Sequence, residues 1–148
     1  MKTPLLISLI VIVVMGLVLG AVVVLRPDEE LAPTIQYVNT DRDEIVPTLP
    51  LIGQRVTSPL VVEGRARGSW YFEASAPMML VDWDGRILAE GYVQAQGDWM
   101  TEEFVPFQGI ITFSVPDGFA DRGALVLRAD NPSGLPEYDR SVQIPVRF

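Results

Sequence analysis

The stretch Leu60-Val61-Val62-Glu63-Gly64-Arg65-Ala66-Arg67 alternates: Leu60, Val62, Gly64 and Ala66 are apolar or small, and Val61, Glu63, Arg65 and Arg67 fall between them. Successive side chains of a strand point to opposite faces, so the pattern predicts a strand with one buried face. The same period recurs. Ile87, Ala89, Gly91, Val93 and Ala95 alternate with Leu88, Glu90, Tyr92, Gln94 and Gln96. Gly109, Ile111, Phe113 and Val115 alternate with Gln108, Ile110, Thr112 and Ser114. Leu125, Leu127 and Ala129 alternate with Ala124, Val126 and Arg128, and Val142, Ile144, Val146 and Phe148 with Ser141, Gln143, Pro145 and Arg147. The apolar run that begins at Met78 ends at Asp82-Trp83-Asp84-Gly85, and a weaker strand falls near Ile45–Leu49.

No twelve-residue window of this region has a helical period. About seven short strands in roughly 100 residues predict an all-β domain, an immunoglobulin-like β-sandwich over residues 44–148. Such sandwiches often carry a core disulfide. The chain has no Cys, so apolar burial alone must hold this one. Pro145 lacks an N–H, which puts the last strand at a sheet edge or turns the Pro145 nitrogen away from a neighbour.

Composition narrows the function. The chain has 148 residues, 49% of them hydrophobic and 20% charged, enough apolar material for a packed core. A net charge of −8, without a basic cluster, excludes nucleic acid as a partner. With no His and no Cys, Ser-His-Asp and Cys-His catalysis, zinc sites and thiol chemistry are excluded.

The mean hydropathy of +0.27 reflects an uneven distribution. Leu5–Leu25 carries no charge and is long enough, as a helix, to span the roughly 30 Å hydrocarbon core. Residues 1–26 therefore read as an N-terminal transmembrane helix, a signal anchor. Lys2 and the amino terminus favour a cytoplasmic N-terminus and an extracytoplasmic C-terminal domain, that is, a single-pass protein of the cell membrane. The rival reading is a cleaved signal peptide with Val18 and Gly20 at the cleavage positions. The apolar run outlasts the usual signal core, which favours the anchor. Gly16-x-x-x-Gly20 matches a helix-pairing motif and offers a weak helix-mediated dimer. Residues 27–43, with Pro27, Pro33 and five acidic residues against one Arg, read as an extended acidic linker, in which Ile35-Gln36-Tyr37-Val38 offers at most a stray strand with no evident partner.

The remaining motifs favour binding over catalysis. Asp82-Trp83-Asp84-Gly85 resembles the start of a calcium loop, but the downstream ligands are missing, so a hairpin turn at Asp84-Gly85 is expected and no metal site. Glu102 and Glu103 are neighbours that a strand would point apart, a poor catalytic pair. No catalytic residue and no cofactor is expected. Trp70-Tyr71-Phe72 puts three aromatics in a row; in a strand, Tyr71 would face away from Trp70 and Phe72. Asp130 to Glu137 forms a long loop stiffened by two prolines, either a strand connection or a ligand loop. The candidate ligand or partner surface comprises Tyr71, Tyr92 and Trp99 with Asn131 and Glu137.

Several blocks together resemble the Gmad2 family, the immunoglobulin-like domain first noted in bacterial spore germination proteins. They are Val56 to Ala66, Trp70-Tyr71-Phe72-Glu73-Ala74, Asp84 to Ala89, Gln94 to Met100, Phe104-Val105-Pro106-Phe107, Asp130 to Gly134 and Val142 to Val146. The resemblance covers nearly all of residues 44–148. It implies a small extracytoplasmic β-sandwich on a bacterial envelope protein and carries over no catalytic residue. The resemblance is to this one domain, with no companion germination domain expected, so it implies no role in sporulation. The expected function is a non-enzymatic binding or scaffolding domain displayed from the membrane towards an envelope protein or cell-wall glycan. The alternatives are a structural spacer without a specific ligand and a carbohydrate-binding module.

Overall fold

Alternation becomes a ladder in the computed structural model, which describes residues 32–117 and 121–148. Among them are nine strands: β1 (Gln36–Val38), β2 (Ile45–Leu49), β3 (Gln54–Arg55), β4 (Leu60–Arg67), β5 (Ser75–Asp82), β6 (Ile87–Ala95), β7 (Phe104–Ile111), β8 (Arg122–Arg128) and β9 (Ser141–Arg147). Two 3-10 turns, Gly68–Trp70 and Pro136–Tyr138, complete the secondary structure. The hydrogen-bonded order is β1-β9-β8-β5-β6-β7-β4-β2, with β3 beside β9. β6 pairs with β5 over most of its length and with β7 at Gln94 and Ala95, so it passes from one layer to the other.

The inward residues of β2, β4 and β7 (Ile45, Leu60, Val62, Ala66, Val105, Phe107, Ile111) share one core with Met78 and Leu80 of β5, Leu125 and Leu127 of β8, and Val142, Ile144 and Val146 of β9. The result is an all-β, sandwich-like fold. Its register gives a direct test. Ile111 is buried, whereas its neighbour Ile110 is 64% exposed. Ile111→Ala is expected to cost about 2–5 kcal/mol and Ile110→Ala less than about 0.5 kcal/mol, read as urea midpoints by circular dichroism.

The compact unit runs from Pro33 to Phe148. It therefore includes residues 33–43 of the stretch read as a linker. Gln36–Val38 is a strand paired with Gln143–Ser141 of β9, and the Asn39 amide donates to the Asp139 carbonyl at 3.0 Å. The stray strand read at Ile35–Val38 has its partner a hundred residues away, beyond the reach of any local pattern. Pro145 sits where β9 passes from β1 to β3. Its carbonyl accepts from the Gly53 N–H at 2.7 Å, so its nitrogen faces that same gap and not the ladder with β8.

β7 spans Phe104–Ile111, earlier than the predicted alternation over 108–115, because Pro106 concealed its first half. Among the described residues no helix is long and apolar enough to cross a membrane. The expected span Leu5–Leu25, with Gly16 and Gly20, lies outside the described residues.

Candidate functional site

Strand directions bring four connections to one end of the unit: 39–44, 68–74, 96–103 and 129–140. The other end holds 50–59, 83–86 and 112–117. Pro33 lies there, its Cγ 3.6 Å from where a Gly53 Cβ would stand. The chain thus enters the unit at the end opposite the four connections.

The 129–140 loop is held by its own side chains. The Asn131 amide donates to the Leu135 carbonyl and to Asp139 Oδ1, both at 2.9 Å. Ser133 Oγ donates to Asn131 Oδ1 and accepts from the Leu135 N–H. Pro136 starts a 3-10 turn closed by the Tyr138 N–H on the Leu135 carbonyl at 3.0 Å. Arg140 ties this loop to the neighbouring ones. Its guanidinium donates to Glu44 Oε2 at 2.8 Å and to the Ser69 carbonyl at 2.7 Å, and lies 5.4 Å from the Trp70 ring centroid. The Asp130 N–H donates to the Trp70 carbonyl at 3.0 Å.

These ties leave an open depression of ≈ 380 Å³, lined by Asn39, Asp130, Asn131, Pro132, Ser133, Glu137, Tyr138 and Arg140. Two of the five candidate residues, Asn131 and Glu137, line it. Tyr92 is exposed on β6 and does not line it. Trp99 is half-buried against the core.

Tyr71 requires a correction. It is buried, and its hydroxyl donates to the Val105 carbonyl at 2.8 Å, so it offers no surface. The three aromatics do not form a strand. Trp70 closes a 3-10 turn, and Glu73 and Ala74 adopt positive φ (49° and 61°), turning the chain back so that Phe72 and Ser75 exchange backbone hydrogen bonds. Trp70 and Tyr71 are both buried, and Phe72 is exposed. The sequence does not single out Asn39, Arg140 or Tyr138. Tyr138 was findable as an exposed-type aromatic beside Glu137; Arg140 and Glu44 meet across 96 positions with no local signal.

Burial raises the Tyr71 phenol above the ordinary tyrosine range. The fold therefore favours the neutral phenol. That contribution is complete below the unfolded value of about 10 and is lost as pH rises beyond it. Tyr71→Phe is expected to cost about 1 kcal/mol at pH 7 through the lost hydrogen bond. The gap to wild type should narrow in alkaline melts above about pH 10.

The Asp82 segment forms the hairpin turn. Gly85 has φ +81°, its N–H donates to the Asp82 carbonyl at 3.0 Å, and Asp82 Oδ1 accepts from the Arg86 N–H at 2.8 Å. Among the described residues no group of three or more carboxylates could hold a metal ion.

The fold defines an immunoglobulin-like sandwich with a rigid loop cluster at one end. The sequence pattern of the Gmad2 family, described as the immunoglobulin-like domain of bacterial spore germination, matches residues 44–135, and the chain belongs to that family. The matched segment includes Asn131 and stops before Glu137 and Tyr138. No curated protein and no solved structure matches the chain.

Proposed function

We propose that the chain is a single-pass bacterial cell-membrane protein, held by Leu5–Leu25, that displays a non-enzymatic binding domain outside the cytoplasm. One observation carries this reading: the chain enters the unit beside Gly53, at the end opposite the loop cluster with its depression. A tether on that side leaves the 129–140 loop free to meet a partner. Loops positioned by a rigid scaffold are where binding residues concentrate. The loop's order before any partner arrives limits the entropy lost on binding.

The lack of cysteine makes the test clean. Single-cysteine variants Tyr138→Cys and Leu51→Cys mark the two ends of the unit. Both should react with a membrane-impermeant maleimide on spheroplasts and stay in the membrane after an alkaline carbonate wash. Labelling only after lysis, or release of a soluble chain beginning at Ala21, would contradict the reading.

A further inference from the structure

The end where the chain enters the unit carries a row of arginines. Arg122 of β8 lies opposite Arg147 of β9, and Arg147 lies opposite Arg55 of β3. Direct partners in a ladder share a face, so three like charges stand side by side, an arrangement that destabilises a sheet. In the next pair, Gly123 and Val146, Val146 is in the core, so the arginine row points outward. Among the described residues neither Arg122 nor Arg147 makes an ion pair or a side-chain hydrogen bond. Arg55 donates to the Phe148 carbonyl. Trp83, 59% exposed at the tip of the β5–β6 hairpin, continues the row, its ring centroid 5.8 Å from the Arg122 guanidinium.

Charge is divided along the unit. At the entry end four Arg stand against four Asp, and Arg86 takes up two of those Asp, at 4.0 Å from Asp82 and 3.5 Å from Asp84. The other two, Asp117 and Asp121, make no ion pair with the row. The rest of the unit holds five Arg against twelve acidic residues. Its net negative charge therefore lies away from the entry end, and an anionic plane would turn that end towards itself. Chain length brings such a plane within reach. Seven residues, 26–32, separate Leu25 from Pro33 and extend to at most about 25 Å. Roughly 6 Å of that falls within the headgroup layer.

We propose that the entry end docks on the anionic headgroups of the membrane that anchors the chain. Arg122 and Arg147 donate to lipid phosphates, and Trp83 sits at headgroup level, where tryptophans are enriched. An open row about 10 Å long at strand spacing suits phosphates spread in a plane. Contact with hydrated headgroups leaves aqueous reagents their access to this end. Docking turns the 129–140 loop away from the bilayer. The proposal rests on Leu5–Leu25 being the anchor.

The test uses the full chain, one copy per lipid nanodisc, with a headgroup nitroxide as tryptophan quencher. The discs are phosphatidylcholine alone or phosphatidylcholine mixed with phosphatidylglycerol. Trp70 is buried and Trp99 half-buried at the opposite end, so Trp83 is the reporter. The nitroxide should quench tryptophan emission in the phosphatidylglycerol discs and not in the neutral ones. Trp83→Phe should abolish the quenching. Arg122→Gln with Arg147→Gln should lower the docked population, by roughly fivefold for each arginine. The melting temperature of that double variant should be no lower than wild type, since neither arginine has a carboxylate partner. Raising salt to about 1 M should release the end.

With the chain retained on the discs, three results would overturn the docking and leave the anchor standing: no quenching, equal quenching in neutral discs, or quenching that survives the double arginine variant. Release by millimolar inorganic phosphate at constant ionic strength would assign the row to a free anion. Quenching that needs two chains per disc would assign it to a second copy. Either result overturns the lipid contact. A chain that separates from the discs overturns the anchor and the docking together.

Discussion

Trp70→Ala is expected to cost the unit about 3–5 kcal/mol, a large part of a typical domain's roughly 5–15 kcal/mol. Trp70 is 1% exposed, and its ring supports the Arg140 guanidinium that ties Glu44 and Ser69 to the loop cluster. Losing the ring therefore opens a cavity and removes the floor beneath that cation. Trp70→Phe should cost much less. The indole Nε1 is buried without a hydrogen-bond partner among the described residues, so replacing it also removes an unpaired donor worth about 1–3 kcal/mol. Urea melts of the full chain followed by far-ultraviolet circular dichroism separate the two; equal losses would mean that Trp70 does not pack as described.

Gly68→Ala is the second large effect. A Cβ there would stand 2.0 Å from the Thr101 carbonyl oxygen and 2.2 Å from that of Trp99. Both are backbone atoms and cannot rotate away, so the 68–74 and 96–103 connections must part. Overpacking of this kind costs about 1–3 kcal/mol, occasionally more. Gly85→Ala is the contrast: nothing lies within 4 Å, and the cost is confined to the positive φ of its turn. A Gly68→Ala variant as stable as wild type would show that the two connections do not touch.

The strands legible in the sequence were those with a strict period and a local partner. β4 was read to its observed ends, and β6 to within one residue. Phe113 was read as an inward strand residue but lies beyond β7, half-buried, with its ring 6.0 Å from Phe148 and its N–H on Ser58 Oγ. The alternation continued past the point where pairing with β4 ends at Ile111. β3 is too short to show a period, and β1 reads in the sequence as a stray strand without a partner; both exist because β9 offers a free side on either flank of Pro145.

The candidate site was legible to the extent that its chemistry is local. Asn131 and Glu137 announced a stiff loop through neighbouring prolines and turn-forming side chains. Arg140, Glu44 and Asn39 joined it through contacts between distant segments, which no short pattern encodes. Tyr71 was placed at the surface because three aromatics in a row suggest an alternating strand. The paired positive φ values at Glu73 and Ala74, unusual for residues other than glycine, had no cue in composition.

Photo-crosslinking in intact cells tests most directly whether the loop end is the working face. A photoreactive residue would replace Tyr138 in one variant and Leu51, 63% exposed at the opposite end, in another. The account predicts a discrete adduct from position 138 and none from position 51. An adduct from position 51 alone, or none from either position, would contradict it.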